Sequence, residues 1–158
     1  MADARFEDGA ERPLDLGVAT PEDLAVVAAL VQDAVLPITE MRWDRRRRRL
    51  AILLNRFRWE DREAAERRGR AYERVRSLLV VEDAVAVASQ GIDRSDRDTI
   101  LSVLDLTWEE GADGGGVLVL TLAGDGAIRV EAECLNLRLR DVTRPYAAPS
   151  GRVPRHPD

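Results

Sequence analysis

Along most of this chain apolar and polar residues alternate in steps of two, the repeat of a strand with one face in a core and the other in water. In "RLAILLNRFRWE" (residues 49–60) Ala51, Leu53, Phe57 and Trp59 share one parity, and Arg56, Arg58 and Glu60 share the other. Charge favours water, so the first set is expected to face the core, with Met41 and Trp43 joining it from the preceding strand. Further strands are predicted in "ERVRSLLVVEDAVAVASQ", "DTILSVLDLTWEE", "GVLVLTLA" and "AIRVEAECLNLRLRDV", separated by the turn-forming "GIDRSDR", "GADGG" and "GDG". A short strand around "PLDLGV" comes earlier. Within the last long segment Ile128, Val130, Ala132 and Cys134 share one parity but Leu135, Leu137 and Leu139 the other, which predicts a β-bulge near Cys134.

One stretch has the helical repeat instead. In "ATPEDLAVVAALVQDAVLP" Thr20 can cap, Pro21 sits at the first helical position, and Glu22 and Asp23 place negative charge at the positive end of the dipole. Leu24, Val27, Ala28, Val31, Ala34 and Val35 form its apolar face, and Pro37 ends any continuation. The expected fold is therefore α+β: a curved, mainly antiparallel β-sheet or barrel of about six or seven strands with one N-terminal helix packed against it. The charged excursion "DREAAERRGRAY" reads as loop or a short solvated helix. The proline-rich tail 146–158 lacks periodicity and is expected to contribute nothing to a core that spans about residues 12–145.

Composition narrows the chemistry. With 158 residues the chain suits one domain, and no apolar run approaches the length of a membrane helix. The charged start "MADARFEDGAERP" fits neither a secretory signal nor a transit peptide, so a cytoplasmic location is expected. All 24 basic residues are arginine, which excludes a Schiff-base lysine and a phosphate-loop lysine. The net charge of −5 argues against nucleic acid, whose partners are basic overall or carry a segregated patch.

The lone histidine, His156, and the lone cysteine, Cys134, cannot build a zinc site or a Cys-His pair, and no cofactor is implied. Cys134 has apolar parity and reads as a buried, inert thiol. "DRSDRD" (residues 93–98) lacks the turn glycine and distal glutamate of a calcium loop and reads as a turn, and the glycines of "GDG" suit a hairpin. Asn55, between Leu53 and Phe57, places an amide on the expected apolar face, where it needs a hydrogen-bond partner.

The arginines offer two readings. The run Arg45 to Arg49 suits a hairpin tip whose guanidinium groups point into water and pair with some of the 29 carboxylates. By parity, however, Arg48, Arg56 and Arg58 share the polar face of one strand, Arg42 joins from its neighbour, and Arg74 and Arg76 share a parity on the next. Six guanidinium groups on one sheet face would make an anion site. On that basis the expected function is a non-catalytic binding domain for a small anionic ligand or a protein partner, a second copy of the chain included. The alternative is an enzyme acting on a small anionic substrate with Arg clamps and a carboxylate base.

The segments "LVQDAVLP", "LLNRFRWED", "ASQGIDR", "LTLAGDGAIR" and "LRDVTRPY" resemble an uncharacterised bacterial family, Domain of Unknown Function 2948. The resemblance extends from "RFEDGAERPL" to "PRHPD" and implies one full-length domain; it carries no activity, cofactor or site residue.

Overall fold

The computed structural model of the chain describes residues 12–155, so His156 lies outside the described residues. Its strands are β1 (Asp15–Val18), β2 (Val35–Pro37), β3 (Met41–Asp44), β4 (Arg49–Phe57), β5 (Glu73–Val81), β6 (Ala84–Gln90), β7 (Ile100–Glu110), β8 (Gly116–Leu122), β9 (Gly126–Ala132), β10 (Leu137–Asp141) and β11 (Tyr146–Ala147). They form one 11-stranded antiparallel sheet in the order β1-β10-β5-β4-β2-β7-β8-β9-β6, with β3 beside β4 and β11 beside β5. Val35 of β2 pairs with both Asn55 of β4 and Ser102 of β7, and so joins two wings of the sheet. Leu50, Ile52, Leu54 and Leu79 of one wing meet Leu106, Leu118, Leu120 and Ile128 of the other in a single core. Burying each such side chain contributes about 1.5–3 kcal/mol.

Helix α1 (Pro21–Leu30) packs on β7, with Leu24 and Val27 buried. Thr20 Oγ1 accepts a hydrogen bond from the Asp23 backbone N–H at 3.2 Å, the capping contact that its sequence predicts. The helix stops well before Pro37: Asp33 turns the chain with φ 62°, and Val35 enters β2 instead of extending the helical face. A second helix, α2 (Arg62–Arg68), follows a 3-10 turn at Trp59–Asp61 and ends on Gly69, whose φ of 62° gives the left-handed cap.

The expectation of six or seven strands and one helix is overturned by these 11 strands and two short helices, and the sheet stays open, ending at β1 and β6. Two expected strands are each a pair. Asp83, with φ 57°, makes a tight turn between β5 and β6. The predicted bulge at Cys134 is a complete break: β9 pairs with β8 and β6, whereas β10 pairs with β1 and β5. Leaving one wing for the other resets the phase, which accounts for the change of parity. The two-residue β11 and three-residue β2 are too short to show a repeat.

The phase of β4 is also the reverse of the expectation. Leu50, Ile52, Leu54 and Arg56 face the core, while Ala51, Leu53 and Asn55 lie on the half-buried outer face. Met41 and Trp43 do pack against the core, paired with Ile52 and Leu50. Residues 50–54 are apolar at both parities, so only Arg56 and Arg58 distinguish the two sides, and both are buried. Phe57 is fully buried, but in a separate aromatic group with Trp59 (ring centroids 4.7 Å apart) and Tyr72 (5.6 Å). The tail closes over that group: Tyr146 and Ala147 pair with Arg74 and Glu73, and the Ala148 backbone N–H donates to the Tyr72 carbonyl at 2.7 Å.

Candidate functional site

The six arginines expected on one face are dispersed. Arg42 and Arg76 are exposed on the outer face. Arg48 stands in the β3–β4 turn with φ 55° and donates two 2.8 Å bonds to the Glu133 carboxylate, tying that turn to the link between β9 and β10. Arg74 donates to Asn55 Oδ1 at 2.6 Å and to the Asn55 carbonyl at 2.9 Å, while the Asn55 amide donates to the Tyr146 hydroxyl. That amide thus has its partners on the outer face. Arg45, Arg46 and Arg47 remain exposed at the turn, and Arg49 pairs with Glu82 at 2.7 Å.

Arg56 and Arg58 belong to an ion network under the far end of β4. Arg56 is fully buried; its Nε donates to Ser77 Oγ at 2.9 Å, and its terminal nitrogens donate to the Glu60 carboxylate at 2.9 and 2.8 Å and to Asp141 at 3.0 and 3.2 Å. Burial alone would lower the Arg56 pKa, but the bonds to Glu60 and the charges of Glu60 and Asp141 raise it overall, so the cation is secure. Arg58 donates to Glu73 at 2.5 Å. Arg70 forks onto both oxygens of Asp61 at 2.6 Å.

This network is the floor of a cleft of about 940 Å³ between α2, the segment leading into β1 and the turn between β10 and β11. Six arginines line it, Arg12, Arg58, Arg67, Arg68, Arg70 and Arg144, with five carboxylates. Four of those carboxylates, Glu60, Asp61, Glu73 and Asp141, are already bonded to Arg56, Arg58 or Arg70. Among the described residues, Arg12, Arg67 and Arg144 make no ion pair, and all three are exposed at the rim. Of the arginines singled out from the sequence only Arg58 reaches this cleft. Arg67 was hidden in the charged excursion and Arg144 just before the tail; their meeting depends on the return of β10 along β5.

The Arg70 hydrogen bonds, opposed by burial and aided by the Arg58 and Arg70 charges, hold the Asp61 carboxyl below its ordinary 3.8. A depressed folded-state value means that Asp61 adds stability above that ordinary value and loses it as pH falls toward the folded one. Urea midpoints should therefore drop between about pH 5 and about pH 3, and less steeply in Asp61→Asn than in the parent protein. Equal slopes would show that Asp61 is not coupled to folding.

Cys134 is exposed, not buried, and its thiol lies 3.3 Å from Asp83. The bond to Asp83, with burial and the Asp83 and Glu133 charges, pushes the thiol pKa up, against thiolate chemistry. Residues 93–98 form turns held by Asp93 and Asp96, and Gly124 and Asp125 carry the β8–β9 hairpin with φ 79° and 65°. Among the described residues no cluster of His, Cys, Asp and Glu has a metal-holding arrangement, and no helix is long and apolar enough to cross a membrane.

The chain belongs to a family of unknown function: residues 14–156 match the model described as "Protein of unknown function (DUF2948)". No curated protein and no solved structure matches it.

Proposed function

We propose that this is a non-catalytic binding domain that holds an oxyanionic ligand, phosphorylated or carboxylated, in the cleft beside α2. The observation that carries the proposal is the convergence of Arg12, Arg67 and Arg144, from three separate segments, on one cleft whose own carboxylates are mostly neutralised by Arg56, Arg58 and Arg70. Guanidinium groups offer planar forks of donors that fit carboxylate and phosphate oxygens, and the buried floor holds Arg58 in place beneath them. A general base would need its pKa raised toward neutrality, whereas Asp61 is held low by Arg70 and serves to fix the floor. A cytoplasmic setting is part of the proposal, supported by a single cysteine that allows no internal disulfide.

Pyrophosphate or citrate should raise the melting temperature and bind saturably. Arg67→Ala with Arg144→Ala should weaken that binding at least about tenfold, since two charge-assisted bonds are lost. Arg45→Ala with Arg47→Ala, at the exposed turn, should change it little. Titration at two salt concentrations decides the matter. If no anion stabilises the protein, or if both double variants weaken binding equally and only at low salt, the cleft holds no specific anion.

A further inference from the structure

A second crevice, of about 820 Å³, lies on the other side of α2, lined by Trp59, Arg62, Tyr72, Arg152, Val153 and Arg155. The segment Trp59–Arg68 is the wall common to both: it gives Glu60, Asp61, Glu63, Arg67 and Arg68 to the first cleft and Trp59 and Arg62 to the second. Nine of the chain's 24 arginines line the two clefts, against five of its 29 carboxylates. A net charge of −5 conceals this concentration of arginine. It is the segregated patch whose absence would count against nucleic acid.

We infer that the ligand of the cleft is a single-stranded nucleic acid whose backbone crosses α2 from the arginine cleft into the aromatic crevice; this rests on the anion-binding reading above. Three features favour it over a small oxyanion or an acidic protein. The first cleft has room for several phosphate groups, and cations continue beyond it: Arg152 and Arg155 are exposed and, among the described residues, make no ion pair. The second crevice adds rings, on which bases of any sequence can stack. Those rings are held in place, Trp59 by its indole N–H donating to the Gln32 carbonyl at 3.0 Å and Tyr72 by its O–H donating to Glu66 at 2.8 Å, so little order has to be imposed on binding. A flexible single strand can follow two clefts around a helix of 7 residues, which a stiff duplex cannot.

The test is fluorescence anisotropy of the full chain with end-labelled uridine and thymidine oligonucleotides of about 12 nucleotides. Binding should be saturable and fall steeply with salt. Arg152→Ala with Arg155→Ala should weaken it at least about fivefold and reduce the slope of log affinity against log salt by about 1.4, two contacts' worth for a single strand. Tyr72→Leu should bind about fivefold or more weaker. The inference is overturned if the Arg152 and Arg155 variant binds unchanged, if a duplex of equal length binds as tightly, or if inorganic polyphosphate or polyglutamate competes as well as an equal charge of oligonucleotide. Pyrophosphate binding that depends on Arg67 and Arg144, without oligonucleotide binding, would overturn this inference and leave the anion-binding proposal standing. Absence of both would overturn both.

Discussion

Replacing Arg56 with alanine should destabilise the protein by about 3–5 kcal/mol, the cost of stranding the buried Asp141 carboxylate without its cation. The Arg56 side chain is fully buried, and the Asp141 carboxylate beside it is 5% exposed. This one guanidinium bonds Ser77 on β5, Asp141 at the end of β10 and Glu60 in the turn that leads to α2, so its loss releases three segments at once. Arg56→Lys should recover little, because an ammonium cannot fork onto two carboxylates. Arg56→Met combined with Glu60→Gln and Asp141→Asn should recover at least about half of the loss, since most of it is the unpaired charge and not the missing volume. Urea denaturation measures all of these. A loss below about 1 kcal/mol for Arg56→Ala would mean that the network is solvated and that the cleft has no fixed floor.

Phe57→Ala should cost about 3–5 kcal/mol for a different reason. Phe57 is buried outside the main core, where its ring meets Trp59 edge-on at 4.7 Å and Tyr72 at 5.6 Å. Those two rings flank the excursion that contains α2, so Phe57 anchors the wall of both clefts to β4. Trp59 is half-buried and should tolerate truncation better than Phe57. A near-neutral Phe57→Ala would show that the excursion is held by ion pairs alone.

The sequence made the helix cap at Thr20 legible because capping is local chemistry, readable within a few residues. The hairpin at "GDG" was legible for the same reason. The phase of β4 was not. Residues 50–54 are apolar on both faces, so the only tie-breakers were Arg56 and Arg58, and assigning charge to water reversed the strand. The error and the site have one origin: Arg56 is on the core side because Glu60 and Asp141 neutralise it there, and Asp141 is 85 positions away. No local pattern announces such a pairing. The cleft was illegible on the same grounds, since Arg12, Arg67 and Arg144 become neighbours only through the pairing of β10 with β1 and β5. What could be read was the surplus of guanidinium groups, without their address.

That address is open to direct measurement by following the Nε–Hε resonances of the arginines in a ¹⁵N-labelled sample titrated with pyrophosphate. A built site makes Arg67, Arg144 and Arg58 shift together and saturate at one ligand per chain, while Arg45, Arg46 and Arg47 drift slightly and without saturation. If the exposed turn shifts as much as the cleft, or if the cleft resonances do not saturate, the cleft is not the binding site.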